Sequence, residues 1–424
     1  MAKPSGSACN LDCTYCFYLE KEKLYPETKR PRMSHDVLAA YIRQTIAGQP
    51  GPAVSFAWQG GEPTLMGLDF FREAVALQKQ LCPDGWTISN SIQTNGVLLN
   101  DAWCAFLKAE GFLVGLSIDG PRALHDRYRV DKGGHPTFDR VMKAMATLRQ
   151  HGVTFNTLTV VNREVSAHPL EVYRFLKEAG STFMQFIPLV ERESPDGELA
   201  GPPTHGADDA AEAVTSWSVL PDDFGRFLSA IFDEWSCNDI GEIHVQIFEV
   251  MVGVWLGHPA TLCLYSERCG RAMVVEHNGD VYACDHFVYP EYLLGNVVQD
   301  DMRGLVESPQ QVQFGADKET TLPRQCQECP VRFACHGECP KRRFLKTADG
   351  EPGLNYLCAG YLRFLKHIDE PIRFITRRLQ AGRDADTVMP ELRRQRAALA
   401  AAGRHRPCSC GSGKKWKKCC GRGR

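Results

Sequence analysis

The sequence predicts an α/β fold of parallel strands and helices, followed by a cysteine-rich region and a small cysteine-containing tail. Three observations predict this organisation: strand-like and helix-like segments alternate between residues 34 and 187, eleven cysteines fall within 9–16 and 263–358, and four more lie within 408–420. Strands that alternate with helices indicate parallel βαβ units. A chain of 424 residues is longer than one compact domain usually needs, so we expect several domains.

The individual elements follow from side-chain periodicity. Strands are predicted at 54–58, 86–93, 112–118, 153–161 and 182–187, and helices at 36–47, 69–81, 101–110, 138–150, 169–179 and 222–235. Ser34 is the predicted N-cap of the first helix, residues 1–8 allow at most an abbreviated first strand, and 191–218 is predicted to be an insertion or loop. Ligands of parallel α/β folds bind at the carboxyl ends of the strands, so residues directly after each strand are candidate ligand contacts.

Composition limits the expected partners and location. The formal net charge of −2 gives no electrostatic reason to expect nucleic acid or a membrane surface as the main partner. The sequence has no apolar run of about 18 residues and no apolar signal-peptide core, so we expect a cytoplasmic protein. Cytosolic cysteines more often serve metals or catalysis than disulfides. Cys82, Cys104 and Cys237 stand outside the groups and are expected to be buried small hydrophobic residues.

The first cysteine group, Cys9, Cys13 and Cys16, has the spacing C-x3-C-x2-C. Three thiolates can ligate three irons of a cubane cluster, because cluster irons are held by cysteine sulfur. The fourth iron would then be open to a small molecule, like the open position of a catalytic zinc. A zinc loop or a chance grouping of cysteines could share this spacing, so the motif alone does not decide.

With its surroundings, this motif resembles the radical S-adenosylmethionine (SAM) superfamily. The resemblance rests on CTYCFY at 13–18, WQGGEP at 58–63 and SIDGP at 117–121. It implies a partial (β/α)6 TIM-like barrel over 1–220 and a [4Fe–4S] cluster whose open iron chelates SAM, which is cleaved to a 5′-deoxyadenosyl radical. The SAM-binding residues that it implies are Tyr15, Gly60, Ser117, Arg129 and Leu189. Taken alone, the paired glycines would indicate a plain turn and Arg129 a surface salt bridge.

The second cysteine group has enough thiolates to ligate two four-iron clusters completely. Two structural zinc sites are the alternative, which a bare C-x2-C would favour. The spacing C-x2-C-x5-C-x3-C from Cys326 resembles the SPASM extension of radical SAM enzymes, here predicted over 221–375. The resemblance implies one auxiliary cluster on Cys263, Cys269, Cys284 and Cys339, and another on Cys326, Cys329, Cys335 and Cys358.

Within this extension, residues 1–375 resemble the anaerobic sulfatase-maturating enzymes, with Cys284-Asp285 adding to the stretches above. The resemblance implies an oxidoreductase that converts a cysteine or serine of a sulfatase motif, C/S-x-P/A-x-R, to formylglycine (3-oxoalanine). Asp285 would accept the thiol or hydroxyl proton; the alternative is a solvated carboxylate. Expected partners are an unfolded or nascent sulfatase polypeptide and an electron donor such as flavodoxin or ferredoxin, and the enzyme is expected to be a monomer.

Two other functions stay open from the sequence. Another SPASM peptide maturase, one that forms thioether or carbon–carbon crosslinks, would share all of these motifs. A catalytically inactive iron–sulfur and zinc accessory protein would need a defective SAM site, whereas Cys9, Cys13, Cys16 and 60–63 are all present.

The last part of the chain is predicted as an add-on. Residues 376–404 are charged and rich in alanine, which indicates an exposed helix or linker, so a chain ending near Arg377 is expected to keep its chemistry. The segment 405–424 resembles the SEC-C zinc motif, with the spacing C-x-C-x8-CC. Its implied zinc ligands are Cys408, Cys410, Cys419 and Cys420.

Overall fold

The computed structural model describes residues 1–26, 30–193, 199–201, 203, 213–401, 407–408 and 412–419. Its strands are β1 (Ala2–Lys3), β2 (Ala53–Trp58), β3 (Thr87–Thr94), β4 (Leu113–Ser117), β5 (Phe155–Val161), β6 (Phe183–Pro188), β7 (Arg192–Glu193), β8 (Ala213–Val214), β9 (His244–Val245), β10 (Val274–Glu276), β11 (Asp280–Tyr282) and β12 (Leu293–Asn296). Its helices are α1 (His35–Ala47), α2 (Leu68–Leu81), α3 (Asp101–Ala109), α4 (Arg122–His125), α5 (Phe138–Gln150), α6 (Pro169–Glu178), α7 (Pro221–Asn238), α8 (Gln246–Trp255), α9 (Met302–Val306), α10 (Pro309–Thr320), α11 (Arg324–Gln327), α12 (Arg332–Cys335), α13 (Cys358–Gln380) and α14 (Met389–Ala401).

The chain divides into two compact units. The first comprises Met1–Leu158, Gly197–Pro202 and Arg268–Asp317, and the second comprises Thr159–Asp196, Pro203–Glu267 and Lys318–Arg424. No helix in the described parts of either unit is long and apolar enough to cross a membrane.

The first unit is built on a sheet with the strand order β12-β11-β10-β1-β2-β3-β4-β5. Strands β1 to β5 run parallel, β10 also pairs parallel with β1, and β11 pairs antiparallel with both β10 and β12. The abbreviated first strand is therefore present, with Ala2 opposite both Trp58 and Val275. The buried rings of Tyr41 and Phe71 pack edge-to-face on Trp58, which anchors α1 and α2 on the sheet.

The predicted elements of the α/β pattern are confirmed. Each strand and helix predicted between residues 36 and 187 is present, with ends that differ by at most two residues, and the helix predicted at 222–235 runs from Pro221 to Asn238. The Ser34 side chain accepts a hydrogen bond from the Val37 amide and so caps α1, as predicted.

The second unit contains two short strand pairs and a layer of helices. β6 pairs parallel with β9, and β7 pairs antiparallel with β8. The pair β7–β8 lies within the predicted insertion, most of which is outside the described residues. Helices α7 and α13 can pack closely because Gly360 has no side chain. A Cβ there would lie 2.1 Å from the Pro221 carbonyl oxygen, so only glycine fits.

Helix α14 lies within 376–404, which is predicted as an exposed helix or linker, and one side of it is packed rather than exposed. The side chains of Val388 and Leu392 are buried, and Arg393 Nε donates to the Cys237 carbonyl oxygen of α7 at 2.7 Å. Two apolar positions were too few to predict packing from periodicity, but arginine contacts complete the attachment of the helix.

An ion-pair network also joins α14 to α7. The Asp233 carboxylate accepts hydrogen bonds from Arg396 and from His367 Nε2, the latter at 2.5 Å. Burial alone would raise the pKa of Asp233, but the charges of His367 and Arg396 lower it well below its usual range. Removing one partner of a buried pair leaves a charge without compensation, which is strongly destabilising. A chain ending near Arg377 is therefore expected to be less stable, and the expectation that it keeps its chemistry stays a prediction.

Replacing Arg396 by glutamine should lower the free energy of unfolding by about 3 kcal/mol at neutral pH, the lower end for breaking a buried pair because His367 remains. A carboxyl group with a lowered folded-state pKa contributes stability above its unfolded pKa of about 3.9 and loses it as the pH falls through the folded value. The difference from wild type should thus shrink in strong acid. Urea unfolding measures both effects, and Arg394→Gln, which breaks an exposed pair with Glu391, is the control. Equal stabilities of the two variants would contradict the prediction.

Candidate active site

The three cysteines of the first group lie on the loop that follows β1. The amide of Cys16 donates to the Cys13 carbonyl oxygen at 2.9 Å, and the amide of Asp12 donates to the Val130 carbonyl oxygen at 2.8 Å. Burial raises the pKa of Cys9 to about 11 and that of Cys13 to about 12, with a smaller contribution from the nearby Cys16 thiol in both cases. Metal ligands must be thiolates, so cluster binding has to release these protons.

The donor set of this loop fits an iron–sulfur cluster. Three thiols close in space on one short loop are the ligands that a cubane with one open iron requires. Within the described ranges, no group of three or more His, Cys, Asp or Glu side chains is arranged to hold a single metal ion.

The turn that follows β2 contacts the cysteine loop through backbone hydrogen bonds. The amides of Gly61 and Glu62 donate to the carbonyl oxygens of Gly6 and Ala8, both at 2.8 Å. Gly60 has a φ of +136°, and a Cβ there would lie 3.0 Å from the Gly6 carbonyl oxygen. Gly60 is thus required by both backbone conformation and space. A plain turn would not explain this close contact with the cysteine loop.

Glu62 connects the ends of β2 and β3 to the cysteine loop. Its buried carboxylate accepts hydrogen bonds from Thr64 N at 3.0 Å, Thr94 Oγ1 at 2.7 Å and Asn95 N at 2.8 Å. Asn95 Nδ2 in turn donates to Asn10 Oδ1 at 2.8 Å. Burial raises the pKa of Glu62, although these hydrogen bonds oppose the shift. Sequence analysis missed this network because 94–96 by itself indicates only a turn.

A buried ion pair follows β4. Arg129 donates to both carboxylate oxygens of Asp119, from Nε at 2.9 Å and from Nη2 at 3.1 Å, and the Tyr15 hydroxyl donates to the same carboxylate. Arg129 is therefore not a surface salt bridge. Ser117 lies buried two residues before Asp119. The roles of Tyr15, Ser117 and Arg129 in SAM binding stay predictions. To bind SAM, Arg129 would have to use Nη1, because its Nε and Nη2 donate to Asp119.

Asp285, the predicted base, is paired with a buried lysine. Lys3 Nζ lies 2.5 Å from Asp285 Oδ1, and the same ammonium group lies 4.4 Å from the centre of the Tyr18 ring. The Tyr18 hydroxyl donates to Glu276, whose residue faces Lys3 in the β1–β10 register. An opposite charge this close stabilises the carboxylate, which is the form that accepts a proton. Nothing in the local sequence marks Lys3 as functional, because it is only one charged residue in a very short strand.

In the second unit, four predicted ligands of one cluster come together. Burial raises the pKa of Cys335 to about 12 and that of Cys358 to about 11, and the neighbouring Cys326 thiol contributes to both shifts. Cys329 contributes to the shift of Cys358 as well. The four thiols thus act on one another electrostatically, and their role as ligands of a common cluster stays a prediction.

The other predicted auxiliary set is divided between the units. Cys263 and Cys339 belong to the second unit, where burial, with a small contribution from Cys263, raises the pKa of Cys339 to about 11. Cys269 and Cys284 belong to the first unit and are half-buried. This set stays a prediction.

The remaining predicted residues are placed as follows. Leu189 directly follows β6 in the second unit, is buried, and donates its amide to the Val161 carbonyl oxygen at 3.1 Å. Cys104 and Cys237 are buried as predicted, but Cys82 is only half-buried because it ends α2, where its sulfur contacts the Trp86 carbonyl oxygen at 3.6 Å.

The C-terminal cysteines are described in part. Cys408 and Cys419 are buried, with Trp416 packed against them. Arg363 Nη1 lies 3.0 Å from Cys419 Sγ, which attaches this segment to α13. Cys410 and Cys420 lie outside the described residues.

Comparison with protein families places these features in a known class. The model of the radical SAM superfamily matches residues 4–176, and that of an iron–sulfur cluster-binding domain, SPASM, matches 263–330. Fold and cysteine pattern therefore define a radical SAM protein with a SPASM domain.

Individual relatives narrow the class. The chain is 44% identical over 395 residues to a serine-type anaerobic sulfatase-maturating enzyme of Bacteroides thetaiotaomicron. The aligned residues cover 93% of this chain and 94% of the relative. It is 32% identical over 373 residues to a cysteine-type enzyme of Clostridium perfringens, with 87% and 95% covered. The structure of native anSMEcpe with bound AdoMet and the Kp18Cys peptide matches at 31% identity with a TM-score of 0.77, over 89% of this chain and 98% of that one. This chain belongs to the anaerobic sulfatase-maturating enzymes.

Proposed function

We propose that this protein oxidises a cysteine or serine side chain of a sulfatase to Cα-formylglycine by radical SAM chemistry. The observation that carries the proposal is the Lys3–Asp285 pair, which lies in the same unit as the first cysteine loop. The chain also matches both the serine-type and the cysteine-type maturases over most of its length. The higher identity with the serine-type relative favours a serine target.

The chemistry divides between the bound groups and the chain. When bound, SAM and the clusters supply the radical that removes a hydrogen atom from the target β-carbon and the acceptor for the remaining electron. Asp285 takes the proton of the target hydroxyl or thiol, and Lys3 stabilises and orients its carboxylate. The residues that hold SAM are Tyr15, Gly60, Ser117, Arg129 and Leu189.

Three [4Fe–4S] clusters complete the proposed holoenzyme. Cys9, Cys13 and Cys16 hold the one that binds SAM, and the eight cysteines between 263 and 358 hold two auxiliary clusters in the sets given above. Free thiol ligands favour a reducing compartment, which supports a cytoplasmic location, and the enzyme is proposed to be a monomer. Its partners are an unfolded or nascent sulfatase segment and an electron donor of the flavodoxin or ferredoxin type.

Mass spectrometry of a modified peptide tests the activity. Oxygen-free enzyme is incubated with SAM, a reductant and matched sulfatase peptides that carry serine, cysteine or alanine at the target position. We expect an aldehyde, trapped as a hydrazone, from the serine or cysteine peptide and none from the alanine peptide. An intramolecular crosslink instead would identify another SPASM maturase, and failure to cleave SAM would favour the accessory-protein interpretation.

The tail is proposed to bind one zinc ion through Cys408, Cys410, Cys419 and Cys420. The burial of Cys408 and Cys419 beside Trp416 supports this proposal. We expect about one zinc per wild-type chain by elemental analysis, and Cys408→Ser should lose it with the iron content unchanged. Cys82→Ser, outside any proposed site, is the control and should retain zinc. Full zinc retention in Cys408→Ser would contradict the proposed ligand set.

A further inference from the structure

A left-handed loop joins ligands of the two proposed auxiliary clusters. Between Cys335 and Cys339, the residues His336, Gly337 and Glu338 have φ angles of +46°, +70° and +53°. This conformation is ordinary for glycine but unfavourable for the two residues that flank it. Within the described chain, His336 and Glu338 are the non-glycine residues with positive φ. Backbone strain of this kind persists only where surrounding contacts hold it, and it concentrates at functional sites.

One guanidinium group holds this loop. Arg343 Nε donates to the Gly337 carbonyl oxygen at 3.0 Å, and Nη2 donates to those of His336 at 2.7 Å and Glu338 at 3.3 Å. Every carbonyl group between the two cysteines thus faces the same side chain, which is buried. A planar fork with five donors can satisfy several acceptors at once, whereas a lysine ammonium cannot reproduce this geometry.

The contact extends to a third ligand through a second buried cation. Arg343 Nη1 donates to the Lys318 carbonyl oxygen at 2.6 Å. Lys318 Nζ donates to the carbonyl oxygens of Leu264 at 2.9 Å and Ser266 at 2.5 Å, and also to that of Cys263. Arg343 and Lys318 therefore connect the backbone around Cys335 and Cys339 to the turn that carries Cys263.

The charge of Arg343 also acts on the thiol ligands. Its guanidinium contacts the carbonyl oxygens of His336 and Glu338, the residues bonded directly to Cys335 and Cys339, so the positive charge lies beside both ligands. Hydrogen bonds, net charge and exposure set the reduction potential of an iron–sulfur cluster. A fixed positive charge among the ligands favours the reduced, more negative state of the cluster.

We propose that Arg343 is a positioning residue of the auxiliary clusters: it fixes the left-handed loop between Cys335 and Cys339, and it raises the reduction potential of the clusters on both sides. This inference rests on the proposed pair of auxiliary clusters. It adds to them a residue, outside every cysteine motif, that helps the clusters to accept the electron left by peptide oxidation.

The test compares Arg343→Gln and Arg343→Lys with Arg394→Gln. The last variant removes an exposed positive charge that pairs with Glu391 in the same unit, outside every proposed cluster site, and is the control. Oxygen-free holoenzymes are analysed for iron and sulfide, titrated reductively with detection by electron paramagnetic resonance, and assayed for formylglycine per deoxyadenosine formed. Arg343→Gln should lower the midpoint potentials of the auxiliary signals. It should also lower the product ratio by about 10- to 100-fold, the usual loss of activity when a residue that orients metal ligands is replaced.

The conservative variant separates charge from geometry. Arg343→Lys keeps the positive charge and should restore the potentials in part, while the product ratio stays below that of Arg394→Gln; it also serves as the test if the glutamine variant does not fold. Wild-type potentials, iron content and product ratio in Arg343→Gln would overturn the inference alone. Wild-type enzyme with iron for only one cluster would instead overturn the proposed cofactor set before any variant is compared.

Discussion

An Asp285→Asn enzyme is expected to cleave SAM at close to the wild-type rate but to form about 10²- to 10⁴-fold less formylglycine, which is the usual contribution of a positioned general base. Asparagine keeps the size of the side chain but cannot take the proton of the target hydroxyl or thiol. It also leaves Lys3 without the carboxylate that lies 2.5 Å from its ammonium group. Deoxyadenosine and aldehyde are measured in the same reaction, so the loss appears as uncoupling of the two products.

Asp139→Asn provides the matched control for this substitution. Asp139 lies on α5 in the same unit and forms an exposed ion pair with Arg122, so its replacement should leave both products unchanged. Iron content must stay equal in all three proteins, which separates a lost base from a lost cluster. Wild-type formylglycine production by Asp285→Asn would remove Asp285 from the reaction.

A Cys13→Ala enzyme is expected to form no deoxyadenosine, because a cluster on two thiolates cannot be held in the loop that binds SAM. If the holoenzyme carries three four-iron clusters, its iron content should fall by about one third while the auxiliary signals remain. Anaerobic iron analysis and chromatography of the SAM products measure these effects.

Cys82→Ala is the control for the loss of a thiol. Cys82 lies at the end of α2, outside both cysteine groups, so this variant should cleave SAM and retain iron like the wild type. Normal deoxyadenosine formation by Cys13→Ala would refute the assignment of the first cysteine group.

The sequence predicted those parts of the site whose chemistry depends on local spacing. Cys9, Cys13 and Cys16 lie within eight residues, and Gly60 is explained by its own backbone angle. Partners that meet only across the folded sheet could not be predicted. Lys3 reaches Asp285 through the pairing of β1 with β10, and Glu62 collects its donors from the end of β3.

The packing of the C-terminal helix α14 could not be predicted for the same physical reason. The sequence predicts an exposed helix or linker at 376–404 because Leu392 is one of few apolar residues there. Its attachment depends instead on Arg396 and Asp233, which are 163 residues apart in the sequence. A buried ion pair leaves no periodic pattern in either segment, so local sequence analysis cannot detect it.

The two-residue strand β1 has a consequence for the order of events during protein synthesis. One of its neighbours, β2, leaves the ribosome early, but the other, β10, is translated about 270 residues later. Closing so long a loop is slow and entropically costly, and partly folded chains of this size expose surfaces that aggregate. The first cysteine loop can therefore be anchored on both sides only after β10 has emerged, so its finished binding site forms late in synthesis rather than when the loop itself leaves the ribosome.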